Sequence, residues 1–187
     1  MRFSFIKITT FLILLFSTIK GEAVENPKII LTTKYGDVKI ELFKDTAPKH
    51  VNRILELSKA GLYDGVAFHR VIDGFMAQTG DVQHGNTKKG FNASLVGTGG
   101  SDLPDLTQEF SNIAHDRGVL SMARSQDPNS ANSQFFICFE KAPHLDRQYT
   151  AFGKVTEGME FIDKLKKGAQ GSGAVTNPDI IVKITVL

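Results

Sequence analysis

The sequence predicts a mainly β fold, a closed antiparallel barrel whose open ends are covered by two α-helices. Short segments rich in β-branched and aromatic residues recur along the chain, and turn-forming Gly, Asn and Pro residues separate them. Only two segments carry apolar residues at helical spacing. A closed barrel agrees with both observations, because closure removes exposed strand edges and leaves two open ends for the helices to cover.

The composition is that of a single domain. The chain has 187 residues, of which 41% are hydrophobic, enough for one full core and too few for a second of similar size. We place this domain at residues 24–187. The formal net charge of +2 comes from residues 1–23, which contain three basic residues (Arg2, Lys7 and Lys20) and one acidic residue. The domain itself is therefore neutral. A neutral domain has no electrostatic basis for binding nucleic acid or a charged membrane surface.

Residues 1–23 have the pattern of a secretory signal peptide. Basic Arg2 and Lys7 precede an apolar stretch centred on residues 11–16, and a small-x-small sequence ends at Ala23. The stretch is interrupted by Thr and Ser and is short for a membrane span. We therefore predict cleavage after Ala23 and a secreted product, periplasmic in a bacterium, without stable membrane insertion. A retained membrane anchor is the alternative.

The predicted domain opens with a β-hairpin. Lys28–Thr33 has the composition of a strand, and residues 35–37 form the turn after it. In the next strand Val38, Ile40 and Leu42 alternate with polar residues, which is the pattern of a strand buried on one face.

The first helix follows this hairpin. Asp45 or Thr46 is expected to cap its N-terminus, Pro48 lies in the first turn, and Gly61 ends it. His50 is expected on its exposed surface. Its apolar side consists of Val51, Ile54, Leu55 and Leu57.

The centre of the sequence is a second hairpin at Phe68–Asp81. The Asp73-Gly74 pair predicts the turn, because Gly accepts the positive φ of a tight hairpin. Alternation places Arg70 on the same face as Phe68. Phe75, Met76 and Gln78 follow the turn. The positively charged guanidinium of Arg70 is therefore expected beside an apolar surface. An arginine at the sheet rim that pairs with a carboxylate such as Asp73 is the competing interpretation.

The remaining elements alternate with loops. Residues 82–108 are predicted to form a long, partly ordered loop, and residues 171–173 a flexible connector. A second helix is expected from Met159 to Leu165, ended by Gly168. The remaining strands are predicted at Gly118–Ala123, Ser133–Phe139, Ala151–Val155 and Ile180–Val186.

Several chemistries have no support in the sequence. The Gly97–Gly100 run lacks the strand-to-helix setting and the lysine of a phosphate-binding loop. The five histidines show no paired spacing typical of metal ligands, and no G-x-S-x-G nucleophile motif occurs. Cys138 is the only cysteine and lies in an apolar run, where a buried, inert thiol is expected. We therefore predict no metal and no cofactor.

Four motifs in order resemble the cyclophilin family of peptidyl-prolyl cis–trans isomerases. They are FHRVI-GFMAQTGD within 68–81, SMAR at 121–124, NSQFFIC at 132–138 and FGKV at 152–155. The resemblance, which covers about residues 28–187, is closest to the bacterial exported type. It implies an eight-stranded barrel capped by two helices, a monomer, and proline-containing (X-Pro) polypeptides as substrates.

The resemblance also implies a role for individual positions. Arg70 matches the family's catalytic arginine, and Gln78 matches the glutamine that holds that arginine or the substrate backbone. Ala123 and Arg124 match the segment whose main chain pairs with substrate. The other substrate-binding positions are Phe75, Met76, Phe136 and Leu145 in the proline pocket, Gln134 as a backbone-binding amide, and Tyr149 where the family usually has histidine.

Two departures from the family pattern affect ligand binding. His144 stands where the cyclosporin-sensitive members have tryptophan, so we predict weak cyclosporin binding with isomerase activity retained. Tyr149 in place of histidine is expected to have a modest effect. The alternative to an enzyme is a non-catalytic proline-peptide-binding or chaperone module on the same fold, which would be free to lose Arg70.

Overall fold

The computed structural model describes residues 25–187, so the predicted signal peptide and its cleavage site lie outside the described part of the chain. The described residues form eight β-strands, two α-helices and one short 3-10 helix. In chain order these are β1 (Lys28–Thr33), β2 (Gly36–Leu42), α1 (Pro48–Lys59), β3 (Arg70–Ile72), β4 (Met76–Thr79), β5 (Val119–Met122), β6 (Phe135–Cys138), the 3-10 helix (Pro143–Leu145), β7 (Ala151–Glu157), α2 (Met159–Asp163) and β8 (Lys183–Val186).

All eight strands belong to one antiparallel sheet in the order β3-β4-β6-β5-β7-β2-β1-β8. This confirms the predicted mainly β fold with eight strands and two helices. The sheet curls so that its edges approach each other through an isolated bridge between Ala67 and Ile180 and a 2.8 Å hydrogen bond from Phe68 N to Asp179 O. The predicted full closure is slightly overstated. The two edge strands, β3 with only three residues and β8, are not paired with each other by a ladder of hydrogen bonds.

The main core lies inside the curled sheet. Its side chains come from alternate positions of the strands and from the apolar side of α1, and its largest fully buried members include Tyr63, Phe68, Phe135 and Phe152. Phe68 lies in this core because the regular strand begins only at Arg70. The prediction that Phe68 shares the face of Arg70 is therefore wrong.

The N-terminus of α1 is capped from a distant part of the chain. The Glu109 carboxylate accepts hydrogen bonds from the backbone N–H groups of Lys49 and His50 and contacts Nδ1 of His50 at 2.7 Å. No local side chain caps the helix, so the prediction of Asp45 or Thr46 as the cap is wrong. His50 is fully buried beneath Glu109 rather than exposed on the surface.

The long loop after β4 is organised by one buried carboxylate. Asp81 is fully buried and accepts hydrogen bonds from the backbone of Gln83 and His84 through Oδ1, and of Gly97 and Gly99 through Oδ2. Both ends of the 82–99 segment are thereby tied to one side chain. Within residues 25–187, no helix has the length and hydropathy needed to cross a membrane.

Candidate active site

One row of side chains crosses the outer face of the sheet. Arg70 pairs with Gln78, Gln78 with Phe136, and Phe136 with Ser121 in the registers of β3, β4, β6 and β5. Directly opposite residues of antiparallel strands point to the same side of the sheet, so these four side chains are neighbours. The intervening residues of the same strands, Val71, Ala77, Ile137 and Leu120, point inward to the main core.

A pocket of about 320 Å³ lies on this outer face. A second apolar cluster forms its floor, in which Met76, Phe136 and Leu145 are 1%, 5% and 6% exposed. The pocket is lined by Arg70, Phe75, Met76, Gln78, Ala123, Arg124, Phe136, His144, Leu145 and Tyr149. Nine of the ten sequence-predicted site residues therefore meet around one pocket, and Gln134 lies beside it.

The Arg70 guanidinium is held by uncharged oxygens. Its Nε donates to the backbone carbonyl of Ser172 at 3.1 Å, and its Nη1 donates to Oε1 of Gln78 at 3.4 Å. None of the ion pairs among residues 25–187 includes Arg70; Asp73 lies 3.9 Å from Nζ of Lys167 instead. The competing interpretation of a rim arginine paired with Asp73 is therefore wrong.

A chain of side-chain amides extends from Arg70 into the long loop. Nε2 of Gln78 donates to Oε1 of Gln134 at 3.0 Å, and Nε2 of Gln134 donates to the carbonyl of Gly99 at 2.8 Å. Each amide is thereby oriented: its oxygen faces the preceding donor and its NH₂ faces the next acceptor. The side-chain amide oxygen of Gln78, Oε1, is consequently directed at the Arg70 guanidinium.

Phe136, the aromatic residue of the pocket floor, is held by two other rings. Phe136 stacks on the ring of His115 at 6.4 Å and contacts Tyr149 edge to face at 5.9 Å. His115 is buried, with Nδ1 3.0 Å from Asp146 and Nε2 2.9 Å from Ser121 Oγ. Hydrogen bonds from the backbone and ring of His115 hold the pKa of Asp146 below its ordinary value. His115 was not predicted as a site residue, because no motif in the sequence marks its packing against Phe136.

Arg124 is committed to local contacts. Its guanidinium lies 4.4 Å above the Tyr149 ring and donates to the carbonyls of Ser125 and Gln148 at 2.9 Å each. The neighbouring Ala123 donates its backbone N–H to Gln134 O at 2.9 Å. Arg124 therefore packs over the Tyr149 ring. Of the two arginines that line the pocket, Arg70 forms fewer hydrogen bonds with the protein.

A second, more polar groove adjoins the pocket. It has a volume of about 550 Å³ and shares Gln78, Ala123 and Arg124 with the pocket. Its remaining lining consists of Gly97–Ser101, Asp105, Ser125, Ser130, Asn132 and Gln134. The apolar pocket and the polar groove therefore adjoin each other along these three shared residues.

Among residues 25–187, the site shows neither a reactive cysteine nor a metal centre. Burial raises the pKa of the Cys138 thiol to about 12, so the thiolate needed for covalent chemistry is absent at neutral pH. Among residues 25–187, no three His, Cys, Asp or Glu side chains are grouped so that they hold a metal ion. What the pocket offers is an apolar floor, oriented amides and one guanidinium.

Comparisons with known proteins agree with this geometry. The family described as cyclophilin type peptidyl-prolyl cis-trans isomerase/CLD matches residues 28–186. The chain is 60% identical over 159 residues to a probable peptidyl-prolyl cis-trans isomerase of Brucella suis, covering 84% of this chain and 81% of that protein. It is 43% identical over 143 residues to a peptidyl-prolyl cis-trans isomerase-like 3 of Rattus norvegicus, covering 74% and 81%.

Solved structures show the same fold. A cyclophilin type peptidyl-prolyl cis-trans isomerase of Cryptosporidium parvum is 31% identical, with a TM-score of 0.74, covering 87% of this chain and 98% of that one. A second crystal structure of that protein, obtained in the presence of the dipeptide Ala-Pro, has a TM-score of 0.73 at 32% identity and covers 86% and 98%. The chain belongs to the cyclophilin-type peptidyl-prolyl cis–trans isomerases.

Proposed function

We propose that the chain accelerates cis–trans isomerisation of X-Pro bonds in exported polypeptides, and that Arg70 stabilises the twisted bond without a covalent intermediate. One observation supports this most directly. The Arg70 guanidinium lies at the wall of an apolar pocket and forms no ion pair with a carboxylate among residues 25–187. Charge is thus available next to a pocket that suits a proline ring.

The reaction needs stabilisation of a nitrogen lone pair rather than the making of a covalent bond. The barrier of about 18–20 kcal/mol arises because twisting the peptide bond breaks its resonance. At the twisted geometry the imide nitrogen recovers its lone pair and becomes a better hydrogen-bond acceptor. A fixed guanidinium donor next to that nitrogen binds the twisted state more tightly than either planar state, which is the condition for catalysis.

The pocket residues supply the orientation that this stabilisation requires. Met76, Phe136 and Leu145 offer apolar surface to the proline ring, while Gln134 and the polar groove offer amides and carbonyls to the preceding chain. Arg suits the catalytic position because its planar fork of donors is always charged. Lowering the barrier by about 7 kcal/mol is enough for a rate increase of roughly 10⁵.

The test is the isomerisation rate of an X-Pro peptide, measured by a protease-coupled assay or by NMR exchange. We expect Arg70→Ala to lower kcat/KM by about a hundredfold or more, because a preorganised donor to the transition state is lost. We expect Arg70→Lys to recover little, since the ammonium lacks the fork. Arg117→Ala is the matched control, because Arg117 pairs with Asp163 on the surface outside the pocket.

Equal rates for wild type and Arg70→Ala would contradict the proposed mechanism. If both proteins bound proline peptides but left the isomerisation rate at its uncatalysed value, the non-catalytic binding module would be the better description. Retained binding with lost rate supports the enzyme. The two functions are therefore separated by measuring the rate and the affinity on the same pair of proteins.

The exported location is a separate proposal that rests on residues 1–23. Exported polypeptides whose folding waits on an X-Pro bond are suitable substrates, because the uncatalysed step takes tens of seconds or longer. We expect the protein isolated from its own cells to begin after Ala23, as determined by mass spectrometry. A mature protein that begins at Met1 and stays in the cytoplasm would contradict this proposal.

A further inference from the structure

The segment between α2 and β8 packs along the free edge of β3. We call residues 168–173, which contain three glycines, the glycine segment. Gly168 N donates to Val71 O at 2.9 Å, and Val71 N donates to Gly173 O at 2.8 Å. Within this part of the chain, Ala169 N donates a backbone hydrogen bond to Ala174 O, and Gly173 N donates one to Ala169 O. These two bonds join the start of the segment to its end. The connector, which its composition predicts to be flexible at residues 171–173, therefore has defined contacts with the strand that carries Arg70.

The glycine segment contacts Arg70 at two points. The carbonyl of Ser172 accepts the Nε hydrogen bond at 3.1 Å. A Cβ atom built on Gly173 would lie 3.2 Å from Cγ of Arg70 and would overlap the side chain of Ile72. Gly173 is thus packed against the aliphatic part of Arg70, while Ser172 binds the near edge of its guanidinium.

We propose that Ser172 and Gly173 of the glycine segment position Arg70, an inference that rests on the catalytic role proposed above. An arginine side chain has many rotamers, and ordering one costs conformational entropy during the reaction unless the ordering already exists. A hydrogen bond at Nε fixes the plane of the guanidinium. The far edge, with its Nη groups, is then the edge presented to the pocket. Ser172 acts through its backbone carbonyl, which explains why no side-chain motif marks it.

The segment provides its own matched control. Gly171 and Gly173 both have positive φ, +85° and +74°, so replacing either with alanine introduces comparable backbone strain. The Cβ at Gly171 would meet no atom within 4 Å, whereas the Cβ at Gly173 would press on Arg70 and Ile72. The two variants differ in whether Arg70 is displaced.

The experiment compares Gly173→Ala with Gly171→Ala in the isomerase assay, with thermal unfolding measured on both. We expect kcat to fall by about tenfold or more in Gly173→Ala, because small displacements of a catalytic group have large effects on rate. We expect the KM for the peptide to change less, since the pocket floor is untouched. Gly171→Ala should keep a rate close to wild type even if its stability falls equally.

A spectroscopic measurement tests the positioning without relying on activity. In the wild type, the Nε–H signal of Arg70, identified by its loss in Arg70→Lys, should exchange slowly with water because it is donated to Ser172. The signal should remain in Gly171→Ala and exchange rapidly in Gly173→Ala. Should Gly173→Ala fail to fold, the wild-type exchange rate decides, and rapid exchange there overturns the inference.

The failures of the two proposals are distinguishable. Full activity in Arg70→Ala would overturn the catalytic role of Arg70 and, with it, the catalytic part of this inference. Loss of activity in Arg70→Ala, combined with equal rates and equal Nε–H signals in the two glycine variants, would overturn only the positioning role of the glycine segment.

Discussion

Gln78 is held at both ends of its amide, and this makes it a support for Arg70 as well as a pocket residue. Its Oε1 accepts from Nη1 of Arg70 and its Nε2 donates to Gln134. The contact with Arg70 follows from the hairpin register, in which the two residues are direct partners. A somewhat shorter apolar side chain such as leucine would keep part of the packing and lose both bonds.

We therefore predict that Gln78→Leu lowers kcat/KM by about tenfold, roughly the value of one hydrogen bond to a charged group. The loss is expected mainly in kcat, because the guanidinium loses a restraint while the pocket floor stays intact. Gln83→Leu, on the exposed part of the long loop, is the control and should be neutral in the same assay. An unchanged rate in Gln78→Leu would show that Ser172 alone is enough to hold Arg70.

His144 is part of the lining of the pocket that also includes Arg70. Its ring lies 5.4 Å from that of Phe75, at the position where tryptophan occurs in cyclosporin-sensitive relatives. Imidazole offers less apolar surface than indole and a different placement of its N–H donor. This is the physical reason to expect weak cyclosporin binding.

We predict that His144→Trp increases cyclosporin affinity by about tenfold or more, in line with the contribution of a buried aromatic anchor. The measurement is inhibition of isomerase activity by cyclosporin, with His84→Trp outside the pocket as the control. The rate without drug should change little, since Arg70 forms its hydrogen bonds with Ser172 and Gln78 and not with His144. Nanomolar inhibition of the unmodified protein would contradict this prediction.

At the scale of elements, α1 depends on a residue that is remote in sequence. Glu109 satisfies N–H groups at the helix start and contacts buried His50, while its own backbone N–H is bound by Thr150 Oγ1 at 3.0 Å. A negative charge at a helix N-terminus is favourable both as an acceptor and through the helix dipole. Glu109 thereby links the loop after Asp105, a residue of the polar groove, to the helix that covers the core.

We predict that Glu109→Ala lowers the free energy of unfolding by about 2 kcal/mol, the upper range for loss of a helix cap. Glu56→Ala, on the solvent-exposed side of the same helix, should cost little, because alanine is a good helix former. Denaturant unfolding of both variants provides the comparison. A similar loss for the two would indicate that the capping contact of Glu109 makes no specific contribution to stability.

At the scale of the whole molecule, two buried histidines connect stability to pH. Burial lowers the pKa of His50 below its ordinary value of 6.5 despite the neighbouring Glu109. Burial likewise lowers the pKa of His69, which Asp81 only partly offsets. In both cases the folded state binds fewer protons than the unfolded state just below pH 6.5. Stability is therefore expected to fall as the pH falls through that value.

We predict that His69→Leu flattens the decline in unfolding free energy between about pH 7 and pH 5. The ring nitrogens of His69 have no hydrogen-bond partner among residues 25–187, so leucine removes a titrating group without removing such a bond. His84→Gln, at a less buried position, is the control variant for the same measurement. A profile for His69→Leu that parallels the wild type would mean that other groups cause the decline.

Much of the fold was predictable because its causes are local. Alternation in β2, the Asp73-Gly74 turn and the apolar spacing of α1 predict elements that the structure confirms at Gly36–Leu42, around the β3–β4 turn, and at Pro48–Lys59. The cap of α1 and the burial of His50 were predicted wrongly, since both depend on Glu109, about 60 residues away. Full barrel closure was overstated because it depends on how two short edges meet.

By itself, the sequence determined the strand and helix content, the family and the residues that a pocket of this kind requires, because turns, periodicity and motifs act over a few residues. Only the tertiary structure decided which partners hold Arg70. The Ser172 carbonyl and the packing of Gly173 carry no side-chain signature, and they reach Arg70 only when the segment before β8 folds along the edge of β3. A backbone oxygen is the same in every residue, so its use at one site depends on chain path alone.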